Sequence, residues 1–151
     1  MSAVRHHETT VSGTLEGAIA TADWMHEVAT KEQLSSDLTF AIDVCLEELL
    51  TNIARHGAAA PVNGDPSAGE RPTVSVRISL TISDKVVELM VEDDGRAFDV
   101  SKAPAHPVRQ PLAEVPVGGL GLKLIRSFTS DIGYRRLNGR NLVTLHFSPI
   151  A

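Results

Sequence analysis

The apolar positions of this chain follow two periods, and the switches between them mark its elements. The clearest helical signal starts at a Ser35 or Ser36 cap, where Leu38, Ile42, Cys45, Leu46, Leu49, Leu50 and Ile53 recur at i, i+3, i+4 and i+7. That spacing puts them on one buried stripe, and Gly57 is placed to end the helix. A less regular 3.6-residue pattern (Leu15, Ile19, Ala22 and Trp24 to Val28) predicts an earlier helix, capped by Thr14 or Gly13 and ending near Lys31. Ahead of it, Arg5 to Ser12 carries Thr9, Thr10 and Val11 and predicts a first strand.

The second period is two. Val74, Val76, Ile78, Leu80 and Ile82 alternate with polar residues between Thr73 and Ser83, and Val87, Leu89 and Val91 do so between Lys85 and Glu92. With a tight turn at Ser83-Asp84-Lys85 the two read as a hairpin. Gly133 to Leu137 and Asn141 to Phe147 predict another, around the turn Asn138-Gly139-Arg140. Leu122, Ile125, Phe128 and Ile132 fall at helical spacing and predict a helix from Leu122 to Ile132.

Two stretches keep neither period. Gly57 to Arg71 is rich in turn-forming residues and reads as a surface loop. Val100 to Val117 holds four prolines and lies directly before a glycine cluster, where a flap over a ligand would be hinged. The order of elements predicts an α+β fold, with helices on one face of a mixed, largely antiparallel sheet.

Composition narrows the classes. A chain of 151 residues, 42% apolar and 22% charged, suits one soluble globular domain over residues 1–151. A net charge of -5 without a basic run argues against direct nucleic-acid binding. No apolar stretch approaches the roughly 20 residues of a membrane span, and the polar N-terminus lacks a signal-peptide core. The expectation is therefore a cytoplasmic protein with no membrane contact. Cys45, the only cysteine, supports neither a disulfide framework nor a thiolate metal site. The six histidines show no metal-ligand spacing, and Ser127 and Ser130 lack a readable His/Asp arrangement for a nucleophile.

Three clusters remain as candidate chemistry. In Val117-Gly118-Gly119-Leu120-Gly121-Leu122 the glycines run straight into a helix, whose first N–H groups are free to hold an anion such as phosphate. On the long helix, Glu48, Asn52 and either Arg55 or His56 form a row offset from the apolar stripe. The Asn52 carboxamide is a suitable hard oxygen ligand for Mg²⁺, and Glu48 one turn earlier is placed for a general base. At Asp93-Asp94-Gly95 a carboxylate at a strand end could accept from an exocyclic amine, with Gly95 letting the backbone pass close under a flat ring.

Together, Glu48-Leu49-Leu50-Thr51-Asn52, Asp93-Asp94-Gly95-Arg96-Ala97-Phe98-Asp99 and Gly118-Gly119-Leu120-Gly121-Leu122 resemble the three nucleotide-binding boxes of the GHKL (histidine-kinase-like) ATP-binding superfamily. The order and spacing are right, and the resemblance covers about Thr10 to Phe147. Within it, the chain is most similar to the bacterial anti-sigma-factor serine kinases of the RsbW type. The resemblance implies a Bergerat-type α/β sandwich with ATP held between helices and sheet. It implies Glu48 as catalytic base, and Asn52 as the residue binding the Mg²⁺ that bridges the phosphates. Asp93 would receive the adenine amino group, with Gly95 beneath the ring. Gly119, Leu120 and Gly121 would form the phosphate-side turn, with Arg55 near the phosphates, Thr144 touching adenine and residues 100–117 as the ATP lid. The implied activity is transfer of the ATP γ-phosphate to a serine on an anti-anti-sigma (STAS-domain) partner. A sigma factor and a second copy of the chain are further implied partners. The alternative is an ATP-binding module that sequesters a sigma factor or other regulator without kinase turnover.

Overall fold

The computed structural model describes residues 3–56, 73–102 and 119–148. Its helices are α1 (Leu15–Glu32), α2 (Ser36–His56) and α3 (Gly119–Phe128), and its strands are β1 (Arg5–Ser12), β2 (Ser75–Ile82), β3 (Val87–Asp93), β4 (Asp131–Leu137) and β5 (Arg140–Phe147). A short 3-10 turn covers Val100–Lys102. The expected loop from Gly57 to Arg71 and most of the expected lid, with Gly118, lie outside the described residues.

The helix starts are set by hydroxyl caps. Thr14 Oγ1 accepts from the Gly17 N–H at 3.2 Å to open α1, and Ser35 Oγ accepts from the Leu38 N–H at 3.1 Å to open α2. Gln33, left-handed at φ 53°, ends α1 by donating its N–H to the Ala29 and Thr30 carbonyls.

The strands form one sheet in the order β1-β2-β3-β5-β4. All four described pairings are antiparallel, so nothing in the described sheet is mixed. Because side chains alternate across a strand, Val76, Ile78 and Leu80 of β2, Leu89 and Val91 of β3, and Val143, Leu145 and Phe147 of β5 share one face. Against that face pack Met25 and Val28 of α1 and Ile42, Cys45, Leu46 and Leu49 of α2. Each such buried aliphatic side chain contributes roughly 1.5–3 kcal/mol. The far face is polar, and Arg77 there meets Glu92 at 2.9 Å.

The β4–β5 hairpin turns on Asn138 (φ 52°) and Gly139 (φ 77°), two left-handed residues whose twist matches that of the strands. Both expected boundaries of the third helix are corrected, and it opens at Gly119, three residues before Leu122. α3 stops at Phe128, and Ile132 belongs to β4. The Thr129 hydroxyl turns back to the Ile125 carbonyl, while the Ser130 N–H donates to the His146 carbonyl at 2.8 Å. That bond belongs to the sheet edge and draws the chain out of the helix one turn early. Ile132 keeps an inward place there, opposite Leu145.

Candidate functional site

Where α2 crosses the β3–β5 half of the sheet, a cleft opens between helix and strands. Its walls are largely apolar: Ile53 from α2, Val91 from β3, Val143 from β5, and Phe98 and Val100 from the segment after β3. Three buried polar side chains, Asn52, Asp93 and Asn141, break that surface.

Asp93 ends β3 and is only 5% exposed. Its Oδ1 accepts from the Gly95 N–H and from Asn141 Nδ2, both at 3.0 Å. Among the described residues no donor meets its Oδ2. Burial pushes the carboxyl above its ordinary range; the Asn141 amide, the Gly95 N–H and the Arg136 charge oppose that, and Asp94 adds to it. Gly95 is buried directly beneath, its carbonyl held by Arg136 Nη1 at 2.8 Å.

Asn141 stands opposite Asp93 in the β3–β5 register and is 3% exposed. Besides Asp93 it donates to the Arg96 carbonyl at 2.8 Å, and its Oδ1 accepts from the Tyr134 hydroxyl at 2.6 Å and the Phe98 N–H at 3.2 Å. Residues 95–98 are thereby tied to β4 and β5 rather than left as a free turn.

On the helix side, Asn52 is 7% exposed and lines the cleft. Glu48, one turn earlier, is half-buried and stands off the described walls. Burial raises its carboxyl above the ordinary range; the neighbouring Glu47 charge adds to this and Arg55 opposes it. Arg55 is exposed and also stands off the walls. Gly119, Leu120 and Gly121 form the first turn of α3, so these glycines lie within the helix rather than before it.

The structure therefore brings Asn52 and Asp93 to one cleft, with Gly95 hydrogen-bonded to Asp93 and Glu48 one turn from Asn52 on α2. Thr144 is a correction. Along β5 the cleft-facing side chains are Asn141 and Val143, and Thr144 points to the opposite face of the sheet, paired with Met90. The polar β5 residue at the cleft is Asn141, three positions earlier. Asn141, Tyr134 and Arg136 escaped the sequence reading. The parity of Val143, Leu145 and Phe147 was the signal that could have found Asn141.

An apolar slot with a carboxylate oxygen open at one end suits a flat heterocycle bearing an amino group. The donor set also fits a nucleotide with its metal: an amide oxygen source at Asn52, and helix N–H groups at the start of α3.

A family model described as the histidine kinase-like ATPase domain matches residues 11–147. The chain is 32% identical over 128 residues to the serine/threonine-protein kinase BtrW of Bordetella bronchiseptica, covering 83% of each. It is 28% identical over 110 residues to the serine-protein kinase RsbW of Oceanobacillus iheyensis, covering 70% of this chain and 63% of that one. Among solved structures, the RsbU and RsbW domains of a Mycobacterium tuberculosis protein superpose with a TM-score of 0.61 at 14% identity, over 95% of this chain and 32% of that one. At that identity the superposition speaks for the fold alone.

Proposed function

The chain belongs to the histidine kinase-like ATPase family, and from that premise we propose that it is an ATP-dependent protein serine/threonine kinase and anti-sigma regulator of a partner-switching system. Residues 1–151 act as one nucleotide-binding domain in the cytoplasm, with residues 100–117 as its lid. No helix among the described residues is long and apolar enough to cross a membrane.

The observation that carries the reading is Asp93. It is a buried carboxylate whose Oδ1 is saturated and whose Oδ2 is unclaimed among the described residues, at one end of an apolar slot. An adenine amino group satisfies it, and Gly95 leaves room beneath the ring. Asn52 faces the same cleft and would hold Mg²⁺ together with the phosphates; the metal would supply neutralisation of phosphate charge. Gly119, Leu120 and Gly121 at the start of α3 offer backbone N–H groups to the phosphates, with Arg55 as the nearby cation.

In transfer, the bond from the γ-phosphorus to the bridging oxygen breaks and ADP leaves. The partner's serine oxygen forms the new bond, and Glu48 takes the hydroxyl proton. A carboxyl raised by burial is better matched to that proton near neutral pH than an ordinary glutamate. The partner in this reading is a STAS-domain anti-anti-sigma factor; a sigma factor and a second copy of the chain are further partners.

One observation favours a different reading. Glu48 stands off the described cleft walls, as it would in a nucleotide-dependent binding module that sequesters its target without turnover. Incubation with Mg²⁺, γ-labelled ATP and a STAS-domain protein separates the two. Labelled partner serine supports the kinase. Nucleotide binding without label supports the module, and no nucleotide binding removes both.

A further inference from the structure

Asn141 is the most completely bonded side chain at the cleft, and its orientation is forced. An asparagine amide offers two N–H donors and an oxygen that accepts twice. Here all four are used: Nδ2 donates to Asp93 Oδ1 and the Arg96 carbonyl, and Oδ1 accepts from the Tyr134 hydroxyl and the Phe98 N–H. A backbone carbonyl can only accept and a backbone N–H can only donate, so the amide cannot flip. Asp93 Oδ1 therefore always faces donors, from Asn141 and from Gly95. When Asp93 binds a proton, the proton goes to Oδ2, the oxygen left for the cleft.

That has a consequence for base choice. Adenine presents an amino donor where guanine presents a carbonyl acceptor. Ionised, Asp93 accepts from adenine and repels guanine; protonated on Oδ2, it becomes a donor and the preference turns round. We propose that Asn141 is a positioning residue for base selection, holding Asp93 as an ionised acceptor aimed at the cleft so that an adenine base is taken and a guanine base refused. The proposal rests on the nucleotide-binding reading above and adds to it the residue that sets the selectivity.

The electrostatic setting agrees. Burial drives Asp93 toward its neutral form, and the Asn141 amide is the first of the groups that oppose it, ahead of the Gly95 N–H and the Arg136 charge. The other titratable groups facing this carboxyl are Asp94 on its own turn, Arg96 at the cleft wall and Tyr134 behind Asn141. From α2 the cleft receives Leu49, Asn52 and Ile53, none of which titrates. Removing the Asn141 donor leaves burial less opposed.

The test is calorimetric binding of Mg-ADP and Mg-GDP by the full chain, from about pH 5 to about pH 8, for wild type, Asn141→Leu and Asn141→Asp. Wild type should prefer ADP by roughly tenfold or more at neutral pH and lose ADP affinity toward acid. In Asn141→Leu that loss should move up by about one pH unit, with the preference over GDP narrowing. Asn141→Asp should show the opposite slope. In acid its carboxyl is protonated and donates to Asp93 as the amide did; at higher pH two carboxylates repel and ADP binding fails. Opposite slopes support the proposal even if Asn141→Leu proves too unstable to assay, because Asn141→Asp alone carries the reversed slope. Variants that follow the wild-type pH curve, offset by a constant factor, would overturn it and leave nucleotide binding intact. Wild type that binds neither nucleotide would overturn the nucleotide reading itself, and this inference with it.

Discussion

Arg126, on α3, donates from Nη2 to the carbonyl of Ser101 at 2.8 Å. One end of this bond is the helix that the glycine cluster opens. The other is the short turn Val100–Lys102, which Asp99 caps by accepting the Ser101 N–H at 2.9 Å. The bond thus joins the helix at the glycine cluster to the start of the segment expected to be a lid.

Arg126 is exposed, so Arg126→Ala should change stability by no more than about 1 kcal/mol, the net worth of that one bond. A hydrogen bond of ordinary net worth, about 1 kcal/mol, corresponds to roughly a fivefold effect. We expect nucleotide release about fivefold faster, measured by stopped-flow displacement of a fluorescent ADP. A release rate equal to wild type would mean the strap has no part in retaining the nucleotide.

Asp93→Asn should weaken ADP binding by roughly 10- to 100-fold, as expected when a hydrogen bond to a charged group is lost. Stability should move the other way. Because burial raises the Asp93 carboxyl, its contribution is fully present in acid, below the unfolded-state value, and is lost as pH rises through the folded-state value. Asp93→Asn should flatten that part of the profile, so urea midpoints of wild type and variant should diverge as pH rises across that window. Parallel profiles would contradict the assigned burial effect.

Elements with a strong period were legible in the sequence because one face of each is buried. α2, β2 and β3 fall within two residues of where their apolar repeats place them. Ile132 was misplaced because a residue can keep helical spacing from Phe128 and still be drawn into a strand when the Ser130 N–H before it bonds the carbonyl of His146, at the far end of the hairpin. At the site, Asn52 and Asp93 were legible from local motifs. Asn141 was not: its partners are 43 to 48 residues away except for Tyr134, and no local pattern encodes them. Thr144 was chosen by analogy, against the alternation of its own strand.

Gly17 gives a structural prediction opposite to its local propensity. In a helix, Gly→Ala ordinarily gains up to about 1 kcal/mol. Here an added Cβ would lie 1.7 Å from the Ser12 carbonyl oxygen, a backbone atom that cannot swing aside. The start of α1 would have to move away from the end of β1, so Gly17→Ala should destabilise by about 2 kcal/mol or more, read from the shift in urea midpoint at unchanged slope. A neutral or stabilising outcome would mean the β1–α1 corner is softer than its contacts imply.

Glu48 and Asn52 sit one turn apart on α2, yet their replacement should damage different steps. Asn52 faces the cleft, so Asn52→Ala should weaken Mg-nucleotide binding; alanine is the better helix former, which offsets part of any packing loss. Glu48 is raised by burial, the disposition of a group that works on a proton rather than on nucleotide affinity. Glu48→Gln keeps its shape and removes its basicity. We expect Mg-ADP affinity within about twofold of wild type, and phosphoryl transfer to a STAS-domain protein slower by about 100-fold or more. A single-turnover assay at saturating ATP separates the two effects. If Glu48→Gln transferred label at the wild-type rate, the proton would have to leave by another route, and the role assigned to Glu48 would fall while that of Asn52 stood.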